Sequence, residues 1–139
     1  MENIKVIKET DEGFKDTLLY RAYLDLRKCW KADTCAPRMR DDWSEDDVTL
    51  GQCSITSFLI QDEYGGGVYG VELGDGNYHC FNLINGIAYD ITSGQFKNDL
   101  HYDLNHPQSR VVHFSKKEKY ERYLLLKERY ERMKKTETG

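Results

Sequence analysis

YHCFNLINGIAYDIT, residues 78–92, sets two apolar runs around Asn85-Gly86. Asn-Gly between such runs is the signature of a two-residue type I′ hairpin, because both loop residues must take positive φ. With that loop Ile84 pairs with Ile87. Counting back places Leu83 against Ala88, Asn82 against Tyr89, Phe81 against Asp90 and His79 against Thr92. Side chains alternate between the faces of a strand, so His79, Phe81 and Asp90 share one face while Cys80 and Asn82 take the other. His79 and Asp90 are then diagonal neighbours, about 7–8 Å apart at the backbone, a gap that long side chains bridge. The pairing depends on the turn: a three-residue loop turns Asp90 away.

Working outward, VYGVEL (68–73) is a further strand, separated from the hairpin by Gly74-Asp75-Gly76-Asn77, a strong turn signal. Before it, GQCSITSFLIQD (51–62) reads as a helix with Ile55, Phe58 and Leu59 on one face, stopped by Gly65-Gly66-Gly67. Residues 13–30 place Leu19, Ala22, Tyr23, Leu26 and Trp30 at helical spacing. Residues 31–50, with Pro37 and the acidic DDWSEDD, read as a surface loop that Trp43 is able to anchor. Residues 94–110 are a second loop, and RVVHF (110–114) is expected as a last strand. Ser115-Lys-Lys-Glu118 is a capping box opening a helix to about Lys134, whose stripe of Tyr123, Leu126, Tyr130 and Met133 packs on the rest. The order helix, helix, antiparallel strands, helix predicts an α+β fold, one domain over residues 1–139 with 115–135 as its C-terminal helix.

Bulk properties narrow the function. No apolar run approaches the roughly 20 residues a membrane helix needs, and MENIKVIKETDEG lacks a secretory h-region. The expectation is a cytoplasmic protein with no membrane partner. A net charge of −4 argues against nucleic acid, which needs a concentrated basic surface. The C-terminal Lys and Arg residues are interleaved with Glu, as on a solvated helix face. Cys29, Cys35, Cys53 and Cys80 are expected as thiols rather than disulfides. They form no C-x₂-C pair, and His101 and His106 lie in a loop, so no metal or other cofactor is expected.

Cys53, His79 and Asp90 carry the chemistry. Cys53 opens its helix, where the partial positive charge and free N–H groups favour a thiolate and can hold an oxyanion. Gly51 lets the chain turn just before it. The competing reading is a small core residue packed under the sheet. If the thiol meets His79, the imidazole balances its proton and Asp90 fixes the tautomer through the other ring nitrogen. Attack on an acyl carbon would give a thioester, resolved by water or another nucleophile. Thr92 faces His79 and is a candidate cleft residue. Asn82 is assigned a structural hydrogen bond, Ser93 and Gln95 the turn after the strand, and Cys29 and Cys80 core packing. Cys35 is expected in an exposed loop, and His101, His106 and His113 as structural or surface residues.

Gly51-Gln52-Cys53-x-x-Thr56-Ser57 with Gln61-Asp62 and Gly65-Gly66, Tyr78-His79-Cys80-Phe81-Asn82, and Asp90-Ile91-Thr92-Ser93-Gly94-Gln95-Phe96 together resemble the YunG family of small bacterial proteins. An upstream Trp30…Thr34…Trp43 pattern agrees, and the resemblance covers roughly residues 20–96. The family's motif order is similar to that of papain-like (NlpC/P60-type) cysteine hydrolases. The resemblance thus implies a papain-like fold, an antiparallel sheet packed against helices, with Cys53 as nucleophile, His79 as base and Asp90 as orienting residue. Gln52 is carried over as a substrate-binding candidate at the oxyanion, beside the Cys53 N–H. The implied function is a thiol hydrolase or acyltransferase acting on an amide, peptide or thioester. The alternative is a non-catalytic papain-like module that docks a peptide or protein.

Overall fold

The computed structural model describes residues 4–74 and 76–138, the side chains of 137 and 138 excepted. Four strands form one sheet in the order β1-β4-β3-β2: β1 (Val6–Lys8), β2 (Gly67–Glu72), β3 (Tyr78–Ile84) and β4 (Ile87–Asp90). The helices are α1 (Tyr20–Cys29), α2 (Cys53–Tyr64), the short α3 (Arg110–Phe114) and α4 (Lys117–Thr138). The class is α+β. The sheet is mixed rather than antiparallel, because β1 joins β4 in parallel, Val6 opposite Ala88 and Lys8 opposite Asp90.

The hairpin forms as its sequence dictates. Asn85 takes φ 51° and Gly86 φ 79°, and the register pairs Ile84 with Ile87 and Asn82 with Tyr89. At the other end of β3 the strand ends with Glu72 opposite Tyr78 and the Leu73 N–H on the Asn77 carbonyl at 3.0 Å. Asp75, within the turn expected there, lies outside the described residues.

One face of the sheet packs on the helices. Val68, Cys80, Ile84, Tyr89 and Ile91 meet Leu26 and Trp30 of the α1 region, Ile55, Phe58 and Ile60 of α2, and Leu126 and Tyr130 of α4 in one core. Residues 55–60 of α2 are all buried, because the helix lies between the sheet and α4. The Trp30 indole donates to Thr56 Oγ1 at 2.9 Å, and Asn82 Nδ2 donates to the Ser57 carbonyl at 2.8 Å. The opposite face is covered by Tyr102, packed with Val6, Val71, Phe81 and Ala88. The stripe expected on the C-terminal helix is its packing face. Tyr130 OH donates to Glu63 Oε1 at 2.6 Å, Tyr123 OH bonds Asp62, and Arg129 pairs bidentately with Asp33 at 2.8 and 2.5 Å.

Four local expectations change. The helix expected over residues 13–30 is split into a 3₁₀ turn (Glu12–Asp16) and α1. Thr17, extended and with its hydroxyl on the Phe14 carbonyl at 2.7 Å, interrupts it. RVVHF is helical, not a strand. The edge of β2 that it would have joined is already covered by residues 106–108, with Gly70 N–H on the His106 carbonyl and Gln108 N–H on the Val68 carbonyl, both 2.8 Å. Val111 and Val112 are left exposed. The capping box does not form. The Ser115 hydroxyl donates to the Val112 carbonyl at 2.7 Å, and Glu118 pairs with Arg122. Cys35 is fully buried, packed so closely that a Cβ on Gly51 would meet its Sγ at 2.5 Å.

Gly66 tests how tightly α2 turns into β2. It has φ +78°, and a Cβ there would sit 2.0 Å from the Leu83 carbonyl oxygen, a backbone atom of the hairpin. Gly66→Ala is expected to cost about 2 kcal/mol or more of stability in urea denaturation. A change within about 0.5 kcal/mol would contradict this close approach.

Candidate active site

Asp90 ends β4, and its carboxylate is buried and fully engaged. His79 Nε2 lies 2.7 Å from Oδ2, and Tyr102 OH donates to the same oxygen at 2.6 Å. The Thr92 N–H and hydroxyl donate to Oδ1 at 3.1 and 3.3 Å. Desolvation pushes the Asp90 carboxyl upward, but the charge and hydrogen bond of His79, with Tyr102 and Thr92, more than offset it and hold the acid below its ordinary range. The diagonal relation read from the hairpin is thus a direct contact.

With Nε2 held by Asp90, Nδ1 of His79 is buried with no hydrogen-bond partner among the described residues and is the ring nitrogen left for Cys53. Burial alone would lower the His79 pKa. The Asp90 and Cys53 charges and their hydrogen bonds raise it to about 10. Cys53 moves the other way, well below an ordinary thiol. The Cys80 thiol acts as a donor to its sulfur, desolvation opposes, and the positive His79 ring adds to the stabilisation. Both shifts favour a thiolate beside an imidazolium. Phe96 closes one side of the imidazole edge-on, ring centroids 4.6 Å apart.

The segment before Cys53 is fixed with equal care. Gly51 has φ +70°, and its N–H reaches Gln95 Oε1 at 3.3 Å while Gln95 Nε2 donates to the Thr92 carbonyl at 2.9 Å. One side chain therefore ties the turn before the cysteine to the turn after the aspartate. Glu9 anchors that second turn, accepting from Ser93 N–H at 3.0 Å, Gly94 N–H at 2.8 Å and the Ser93 hydroxyl. Cys53 is the first residue of α2, so its own N–H has no acceptor within the helix and is available to an oxyanion.

Cys53 and His79 open into a cleft of about 610 Å³, bordered by residues of the 36–39 loop, Phe96, Gln108, Val112, His113 and Lys119. Gln52 and Thr92, expected as substrate contacts, do not line it. Gln52 is fully buried and its Nε2 donates to the Lys31 carbonyl at 3.1 Å. Thr92 is buried against Asp90. Both support the site from behind. The reverse correction applies to His113, which lies in the cleft wall rather than apart from it, accepting from Lys119 Nζ at 2.9 Å and facing Gln108 Oε1 at 2.8 Å. Tyr102 and Cys80 also gain roles that strand alternation alone does not assign. Tyr102 comes from a loop with no periodicity, and Cys80 touches the site through its thiol while packing in the core. Among the described residues no group of three or more His, Cys, Asp or Glu side chains is gathered to hold a metal ion, and no helix is long and apolar enough to cross a membrane.

Fold and site together define an α+β protein with a helix-borne cysteine facing a buried histidine–aspartate pair. The family described as YunG protein matches residues 19–135, and the chain belongs to that family. The match extends through α4, well beyond residues 20–96. A Bacillus subtilis (strain 168) relative named "Uncharacterized protein YunG" is 37% identical over 90 residues, 65% of this chain and 76% of that relative. No solved structure matches the chain, so these matches carry the family and not a papain-like relationship.

Proton counting gives the pH dependence of stability. His79, raised to about 10, contributes stability present below about 6.5 and lost as pH rises toward its folded value. Cys53, depressed when folded, contributes stability present above about 8.5 and lost as pH falls through its folded value. Between about 6.5 and 8.5 the two cancel, since thiolate plus imidazolium holds as many protons as thiol plus neutral imidazole. Cys53→Ala removes the second contribution and the part of the first that the Cys53 charge supplies, leaving the part that Asp90 sustains. Its unfolding free energy in urea should fall relative to wild type by up to about 1.4 kcal/mol per pH unit across that window. Parallel profiles would contradict a native Cys53 thiolate beside an imidazolium that Asp90 alone can sustain.

Proposed function

We propose that the protein is a cytoplasmic thiol hydrolase or acyltransferase acting on an amide, peptide or thioester. The observation that carries this reading is the buried His79–Asp90 contact of 2.7 Å beside a cysteine at a helix N-terminus, open to a cleft. The order of a helix-borne cysteine followed by histidine and acid on adjacent antiparallel strands also supports a papain-like arrangement of the centre.

In this mechanism the Cys53 thiolate attacks the acyl carbon. A C–S bond forms, and the carbonyl π electrons move to oxygen, where the Cys53 N–H and the positive end of α2 stabilise the oxyanion. The His79 imidazolium gives its proton to the leaving nitrogen, oxygen or sulfur as that bond breaks, leaving a thioester. Neutral His79 then takes a proton from water, or from another nucleophile, which attacks the thioester and releases the acyl product and the thiolate. Asp90 stays ionised, holding the ring so that Nδ1 faces the sulfur.

A second reading, a non-catalytic docking module, draws on Val112, exposed on the cleft wall, and its exposed neighbour Val111. Incubation with p-nitrophenyl acetate and intact-mass spectrometry separates the two. The hydrolase reading expects one acetyl group on Cys53 and turnover of p-nitrophenol, lost in Cys53→Ala and slowed about 10²-fold or more in His79→Gln. Acetylation spread over lysines with no dependence on Cys53 would favour the docking module.

A further inference from the structure

The chain is acidic overall, with net charge −4, yet its cleft is not. Arg38, Lys116, Lys119 and Arg122 line it against one carboxylate, Glu118, which Arg122 takes up in an ion pair. Lys119 is the unusual member. It is half-buried beside the nucleophile, close enough that Cys53 and Cys80 both act on its charge, and among the described residues it has no carboxylate partner. Among the described residues the ammonium makes one hydrogen bond, to a neutral base: Nζ donates to His113 Nδ1 at 2.9 Å. His113 is kept neutral by burial and by Lys119 itself, its pKa pulled down to about 4. The other ring nitrogen, Nε2, donates to Gln108 Oε1 at 2.8 Å, which fixes the tautomer with Nδ1 as acceptor. Gln108 Nε2 in turn donates to the His106 carbonyl at 3.1 Å.

An ammonium taken partly out of water without a carboxylate to pair with is costly. A relay of two side chains, anchored on the His106 carbonyl, holds this one in place while leaving two of its three N–H donors for a ligand. We propose that the substrate of the Cys53 centre carries a carboxylate, and that Lys119, presented by the Gln108–His113 relay, is the residue that binds it. A carboxylate is the anion that amide and peptide chemistry brings, as an acidic side chain or a free chain end. The assignment rests on Cys53 being the nucleophile. It adds the substrate class, with Arg38 and Lys116 at the more exposed rim adding positive potential.

Iodoacetate and iodoacetamide are nearly isosteric and differ in charge, and both alkylate the same sulfur with loss of iodide. The ratio of their rates at Cys53, divided by the ratio for a small free thiol, isolates anion recognition. Any effect of a variant on the thiolate fraction cancels in that ratio. Wild type is expected to favour iodoacetate by about tenfold on this scale. Lys119→Met should lose most of that preference, and Lys119→Arg should keep it, with circular dichroism confirming the fold of each variant. Fast alkylation by both reagents with a ratio unchanged in Lys119→Met would overturn the carboxylate assignment and leave the nucleophile standing. Alkylation of Cys53 by either reagent no faster than the free thiol would instead remove the nucleophile. Glutarate titration followed by NMR then decides the anion site alone. Saturable shifts of the His113 ring signals in wild type but not in Lys119→Met support it, and no shift in either refutes it.

Discussion

The buried carboxylate of Asp90 is the constraint on which the site depends. A carboxylate out of water is tolerated only when its charge and lone pairs are met, and here each requirement is met by a different part of the chain. His79 comes from β3, Tyr102 from the loop that crosses the far face of the sheet, and Thr92 from the turn that follows β4. The same contacts that make Asp90 affordable therefore fix the imidazole, pin the loop at Tyr102 and set the turn that Gln95 links to Gly51. The positive ring held by Asp90 then lies beside Cys53, with the Cys80 thiol behind the sulfur. Electrostatics run in one direction along this line: carboxylate, imidazolium, thiolate, helix N-terminus.

A second set of contacts builds the cleft wall around that line. Arg110 donates to the Phe58 carbonyl at 2.8 Å and to Asp62 at 2.6 Å, and its guanidinium lies over the rings of Phe58, Phe114 and Tyr123. Arg122 reaches the Thr34 carbonyl at 3.0 Å and Arg129 pairs with Asp33. These arginines dock the last two helices onto α2 and onto the loop after α1. Because the chain arrives at them by running along the edge of β2, His113 and Lys119 are delivered to the mouth of the site. The docking is fastened by charged hydrogen bonds at its border and by Tyr123, Leu126 and Tyr130 in its centre.

What was legible in the sequence was local. Asn85-Gly86 specifies its own turn, and the turn specifies the register, so the His79–Asp90 relation followed from a few residues. The glycines after α2 likewise marked its end, with Gly65 at φ 78°. What was not legible depended on remote partners. β1 is three residues long, too short for any period, and exists because β4 has a free edge. RVVHF has the composition of a strand and becomes a helix because the edge it would have joined is occupied. Tyr102 lies in a loop without periodicity, and Cys35 in a polar one, yet both are buried by packing against segments far away in the chain. Gln52 carried a family-like position beside the cysteine, but its side chain turns inward to the Lys31 carbonyl. His113 gave no sequence signal linking it to Lys119 or Gln108; only the arrangement of α3 and α4 brings the three together.

The reactivity of the site turns on a Cys53 thiolate stabilised by the Cys80 thiol and by the His79 imidazolium. The direct measurement is the iodoacetamide alkylation rate of each cysteine as a function of pH, read peptide by peptide by mass spectrometry, in wild type and in His79→Ala. Wild-type Cys53 is expected to react with an apparent pKa well below the ordinary thiol value of about 8.5, His79→Ala to return it toward that value, and Cys29, Cys35 and Cys80 to stay slow in both. A folded protein whose Cys53 is inert, or titrates alike in the two variants, would contradict it.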